Sequence, residues 1–161
     1  MHEIVELLQK DARLSPEDIA SMLNKSVDEV KRLIKEMEDN GTIIKYCAVI
    51  NEEKLQSQKE KIVAFIEIQV TPERERGFDA IAERIYQFPQ VKSLYLMSGR
   101  YDLLAVVEGE TLKEVAFFVS EKLSTLDNVK STMTHFLLKK YKENGAMLFK
   151  QPALERLNVT L

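Results

Sequence analysis

A chain of 161 residues has room for one large domain or two small ones, and a hydrophobic content of 45% is enough to build a core in either case. No apolar run approaches the ~20 residues that a membrane-spanning helix needs, and the first ten residues, MHEIVELLQK, are patterned as a helix rather than a signal peptide. The single cysteine, Cys47, excludes an internal disulfide framework and suits a reducing cytoplasm; its apolar neighbours predict a buried thiol.

The formal net charge of −3 is unevenly spread. Residues 1–50 hold seven Lys and Arg against ten Asp and Glu, whereas residues 51–161 hold sixteen of each. Phosphate neutralisation supplies most DNA affinity, so this balance opposes tight DNA binding by a single subunit. A basic face on an acidic domain stays open.

In chain order, residues 2–10 predict a first helix with Ile4, Val5, Leu7 and Leu8 inside. Ser15 and Pro16 open a second over 16–23, Ser15 as cap and Pro16 at the first helical position. Asn24 and Lys25 interrupt the pattern. Ser26 and Glu29 then form a capping-box pattern that starts a helix over 27–40, with Val27, Val30, Leu33, Ile34 and Met37 at helical spacing and Gly41 as its stop. Two short helices around a tight turn, the second presenting Lys31, Arg32 and Lys35, read as a helix-turn-helix, with Lys25 and Ser26 at the turn. An ordinary helical hairpin fits the same spacing. The β-branched and aromatic residues of 42–50, TIIKYCAVI, predict a strand that acts as a wing or as the way out of the domain. The polar residues 51–60 predict a linker, giving a first domain of residues 1–50.

Beyond the linker the pattern doubles. A strand over 61–70 places Ile62, Ala64, Ile66, Ile68 and Val70 on one face. A helix over 74–88 follows, stopped by Pro89, with Phe78, Ile81, Ile85 and Phe88 on one side. Strands over 91–97 and 102–108 flank a turn at residues 98–101. Thr111 and Glu114 cap a helix over 112–124 with Leu112, Val115, Val119 and Leu123 inside, and a last strand runs over 129–140. This βαββαβ order predicts a ferredoxin-like domain at 61–141 and a tail at 142–161, an α+β chain in all. Both faces of the predicted strands are apolar: Val63, Phe65, Tyr95, Met97, Leu104 and Val106 oppose the helix-facing set. Two helices cover only one face, so the other predicts a self-complementary contact and a dimer.

No CxxC, HExxH, Walker or GxGxxG pattern suggests a metal or cofactor, and no carboxylate pair suggests catalysis. His2 lies near the terminus, and the alternation of the last strand is taken to turn His135 toward the sheet interior in a structural role. Two polar places remain. The turn at residues 99–102 is structurally a hairpin, yet its glycine amide, phenol and carboxylate could hold a zwitterion. The hydroxyls of Ser131, Thr132 and Thr134 interrupt an apolar strand, as ordinary strand hydroxyls or as ligand contacts.

The helix-turn-helix closing on MEDNGTIIKYCAVIN, the MSGRYDLL turn and the VKSTMTHFLL strand together resemble the leucine-responsive/asparagine-responsive transcription regulators (Lrp/AsnC, the feast/famine regulators) over residues 3 to about 141. The carrying motifs are G-x-I-x-x-Y at 41–46, G-x-Y-D at 99–102, and T-x-T at 132–134. The resemblance implies an N-terminal winged helix-turn-helix that binds DNA and a C-terminal RAM-type βαββαβ domain that dimerises. It further implies assembly up to a tetramer of dimers, with an amino acid or similar effector held where dimers meet. By position the effector contacts would be Gly99, Tyr101, Asp102, Thr132 and Thr134, with Leu96 selecting the side chain and Ser98 supplying the hydroxyl that the family's usual Thr provides. Asn128 replaces a glycine usual before the last strand. Asp28 and Glu29 suit a helix N-terminus, but Asp28 also projects near where a phosphate or base edge would lie. Two further readings share the layout: a sirohaem-decarboxylase-like tetrapyrrole enzyme, and an effector sensor with weak DNA binding.

Overall fold

The computed structural model describes residues 1–55, 61–72 and 76–148. It divides into two compact units, residues 1–50 and 51–161. The remaining linker residues, the first two positions of the helix expected over 74–88, and most of the tail lie outside the described residues.

The first unit packs three helices, α1 (His2–Lys10), α2 (Pro16–Leu23) and α3 (Val27–Asp39). Their core is Ile4, Ile19, Ala20, Val30 and Met37, all buried, with Leu7, Leu8, Leu23, Leu33 and Ile34 packed around it. Ser15 Oγ accepts from the Asp18 amide while the Asp18 carboxylate accepts from the Ser15 amide, so two of the free donors at the start of α2 are satisfied reciprocally. At α3 the box is only half made. Ser26 Oγ accepts from the Glu29 amide, but the Glu29 carboxylate turns away to Lys25. Between these helices Asn24 takes the left-handed conformation, φ 52°, which lets the chain reverse within two residues. Gly41, φ +76°, releases the chain from α3 as its position predicts.

The expected strand over 42–50 is not formed. A strand needs a partner edge, and the two sheets are built from other residues. Ile43 alone turns inward, its amide donating to the Met37 carbonyl at 2.8 Å and its side chain packing on the core. Ile44 is 89% exposed, and Cys47, expected from its apolar neighbours to be buried, is exposed as well, because residues 44–50 are all exposed and join no sheet. Tyr46 donates to Glu38 at 2.9 Å; partial burial first, and that carboxylate second, push its phenol pKa up.

The second unit contains a four-stranded antiparallel sheet in the order β2-β3-β1-β4, formed by β1 (Ile62–Val70), β2 (Val91–Leu96), β3 (Leu103–Gly109) and β4 (Val129–Phe136). Two helical segments, α4 (Asp79–Tyr86) and α5 (Leu112–Phe117), cover one face. Beneath them lie Ala64, Ile66, Ile68, Val70, Leu103, Ala105 and Val107 from the strands. Helix α4 starts later than its apolar spacing suggests, after Gly77 at φ +58°. Past Phe117 the chain widens into a π turn, Phe118–Leu123. The wider turn brings Phe118 inward beside Val115, Val119 and Leu123, the last three as expected, while Leu112, expected inside, is 55% exposed. Phe118 meets Phe88 edge-on with ring centroids 5.3 Å apart.

β4 ends at Phe136, four residues early, because its partner β1 begins at Ile62. One further bond, from the Leu137 amide to the Val63 carbonyl, closes the ladder. Part of the expected tail instead forms a hairpin, β5 (Lys142–Glu143) and β6 (Ala146–Met147), across Asn144-Gly145 with φ 44° and 82°. Asn-Gly is a strong hairpin signal in sequence, and positive φ at both positions is why.

Candidate DNA-binding helix and effector site

Lys31, Arg32 and Lys35 lie on the exposed side of α3, opposite the buried Val30 and Met37. The sequence periodicity predicts this division. It does not predict how the cations are held. Lys31 Nζ sits 2.9 Å from Glu17 on α2, Arg32 3.5 Å from Glu36, and Lys25 2.7 Å from Glu29. Hydrogen bonds from Lys31 and Lys25 hold the Glu17 and Glu29 carboxyls below their usual range, and Glu17 raises the Lys31 ammonium. The Lys31–Glu17 and Arg32–Glu36 pairs are solvent-exposed and salt-screened, whereas Lys25–Glu29 is part-buried. Lys35 has no carboxylate partner among the described residues. Ser26 is the N-cap of α3 and Lys25 is partly buried at the turn. Glu17 escaped the sequence reading because its partner stands fourteen positions away on another helix.

In the second unit Leu96, Ser98 and Gly99 are exposed at the turn from β2 to β3, and Tyr101 and Asp102 are half-buried beside it. Asp102 ties this turn to β1: its amide donates to the Ile68 carbonyl at 3.0 Å and its Oδ2 accepts from the Val70 amide at 2.9 Å. Its carbonyl accepts from Met97 at 2.8 Å. A Cβ built at Gly99 meets no heavy atom within 4 Å, so the space over the turn is open. Thr132 and Thr134 are half-buried on β4, across from Ile68 and Ile66. β1 stands between them and the turn, which puts the two groups about two strand spacings, ~10 Å, apart within one chain. Thr132 Oγ1 lies 3.2 Å from Ser124 Oγ. A cleft of about 270 Å³ opens beside the turn, with Phe78, Tyr86, Leu94 and Leu96 in its lining.

The sheet face away from the helices carries Val63, Phe65, Tyr95, Leu104, Val106 and Met133, as the alternation predicts. A polar group lies in its middle. Glu67, 18% exposed, accepts from Arg100 at 3.1 Å and is 3.2 Å from His135 Nε2, and Gln69 joins Ser131 to the Arg100 carbonyl. His135 therefore faces the open side, half-exposed, and not the sheet interior. Its register partner is Phe65, and Thr134 and Phe136 take the helix-facing positions. Glu67 was discernible as the one acid in KIVAFIEIQV; its partners, 33 and 68 positions on, were not.

Residues 63–147 match the Lrp/AsnC ligand binding domain and residues 2–44 a winged helix-turn-helix DNA-binding family. The HTH-type transcriptional regulator YugG of Bacillus subtilis (strain 168) is 50% identical over 143 residues, 89% of this chain and 86% of its own length. The chain belongs to the Lrp/AsnC family of transcription regulators. A more distant relative, the HTH-type transcriptional regulator PH0140 of Pyrococcus horikoshii, is 31% identical over 91% of this chain and 89% of its own. Among solved structures, the fold is that of the Neisseria meningitidis regulator NMB0573 in complex with L-Met, with TM-score 0.67, 23% identity and 88% and 89% of the two chains covered. Escherichia coli AsnC superposes with TM-score 0.66 at 18% identity, covering 88% and 91%. The Lrp/AsnC chain is thus a DNA-binding regulator with a ligand-binding domain, and the relatives named here are regulators, not enzymes. Among the described residues no helix is long and apolar enough to cross a membrane, and no three His, Cys, Asp or Glu side chains gather as a metal site.

Proposed function

We propose that the chain is a cytoplasmic, sequence-specific regulator of amino-acid or related metabolism. It works as a homodimer, or as a tetramer of dimers, whose DNA affinity responds to an amino acid. The observation that carries this reading is the stripe of Lys31, Arg32 and Lys35 on the exposed side of α3, the second helix of the helix-turn-helix. A single acidic N-terminal unit binds DNA weakly. Two copies held by their sheet faces present two such helices to a pseudo-palindromic site, in successive major grooves. Lys25 and Ser26 meet the backbone at the start of α3.

The effector site is assigned to Leu96, Ser98, Gly99, Tyr101 and Asp102, with Thr132 and Thr134 supplied from across a contact between dimers. Three features support it: the open space over Gly99, the apolar cleft at Leu96, and the separation of the turn from the threonines within one chain. The Neisseria regulator in complex with L-Met supports an amino acid as the ligand class. Domain bounds of 1–50, 51–60 and 61–141, with a tail to 161, complete the proposal.

Binding of the full chain to its own promoter, measured by fluorescence anisotropy over a salt series, tests it. Arg32→Ala should weaken binding by about 1–3 kcal/mol if a base contact is lost. Equal affinity and an equal salt slope for wild type and variant would remove α3 as the reading helix.

A further inference from the structure

The exposed side of α3 is not uniformly basic. In order it presents Asp28, Lys31, Arg32, Lys35, Glu36 and Asp39, spaced three and four apart along one stripe. Most of the acids near its N-terminal half are already engaged. Glu17 holds Lys31, Glu29 holds Lys25, and Glu36 holds Arg32. Asp28 is the exception. It lies in the first turn of α3, exposed, with no side-chain hydrogen bond or ion pair among the described residues, and its charge is felt at Lys31 one turn on. The helix start does not consume its oxygens, because Ser26 is the group that accepts the Glu29 amide.

A helix-turn-helix brings the N-terminal residues of its second helix against base edges. A carboxylate there meets a high density of phosphate charge, and one kind of base group repays its presence. It can accept a hydrogen bond from an exocyclic amine in the major groove. Cytosine offers the N4 amine with no acceptor beside it on the same base. Adenine sets its N7 acceptor next to the N6 amine, which suits an amide and repels a carboxylate. Lys31, three residues on, supplies a neighbouring cation that offsets the repulsion. We propose that Asp28 is a specificity-determining residue, accepting a hydrogen bond from the N4 amine of a cytosine in each half-site. This rests on the reading above that α3 enters the major groove.

The test is selection of bound sequences from a random duplex pool by the full-length chain, its Asp28→Asn and Asp28→Ala variants, and Arg32→Ala. Wild type should enrich a site with one fixed C·G pair per half-site. Replacing that pair should weaken wild-type binding by roughly tenfold or more. Asp28→Asn should move the preference at that position toward adenine, because an amide both donates and accepts. Asp28→Ala should abolish the preference there while binding unrelated duplex more tightly, since a negative charge has left the DNA-facing side. If Asp28 serves only the helix start, both variants will melt earlier yet select the wild-type sequence, and the proposal is overturned. If wild type enriches no common sequence, or Arg32→Ala selects and binds as wild type does, the reading of α3 itself fails, and the proposal with it.

Discussion

Asp102 has two tasks that pull on different atoms. One carboxylate oxygen accepts from the Val70 amide, holding the effector turn against β1. In the effector site proposed above, the other oxygen faces the ligand's ammonium. Asp102→Ala strands a part-buried backbone donor and should lower unfolding free energy by about 1–3 kcal/mol in urea titrations. Asp102→Asn keeps an acceptor for Val70 and removes the charge. Its urea midpoint should stay near wild type while calorimetry against the common amino acids shows weaker binding. A ligand that binds wild type and Asp102→Asn equally would dismiss this site. The sequence exposes the residue types of the turn but not this division of labour, because Val70 stands 32 positions away.

At the scale of elements, the corner between α2 and α3 decides where Lys31 points. Asn24 holds that corner in the left-handed region. Asn24→Gly should therefore be tolerated, and Asn24→Val should cost on the order of 1–2 kcal/mol, read by thermal melting. Carboxylates also stitch α2 and α3. Hydrogen bonds from Lys31, Ser15 and Lys25 hold Glu17, Asp18 and Glu29, respectively, below the usual carboxylate range. A folded pKa below the unfolded one stabilises the fold above the unfolded value, and that stabilisation is lost as pH falls through the folded value. The helical unit should lose stability on acidification, and Glu17→Gln should flatten the low-pH limb of a plot of melting temperature against pH. An unchanged limb in that variant would show that Glu17 contributes nothing to it. Helices α1 to α3 are readable from sequence because their apolar periods and caps are local. The strand expected over 42–50 is not, since propensity describes a residue's preference and a ladder requires an edge to join. The π turn at Phe118–Leu123 escapes for a related reason: Phe88, across the core, draws Phe118 inward.

For the whole molecule, the governing feature is the sheet face left open by α4 and α5. Its apolar character follows from alternation alone, and the dimer proposed here follows from that. Val106→Glu puts a charge at the middle of the face, opposite Phe65. The variant should sediment as a monomer at micromolar concentration, and melting of the wild type should rise with protein concentration. A Val106→Glu protein that sediments as wild type would place the dimer contact elsewhere.

The polar group of Glu67, Arg100 and His135 bears on which surface the proposed dimer face can accept. In the dimer proposed above, a second copy brings a second such group to the contact. Against a wholly apolar face the Glu67–Arg100 pair would lose its water and gain no polar partner, and desolvating an ion pair can cost more than its attraction returns. In the proposed dimer this polar centre favours a like face over a wholly apolar one.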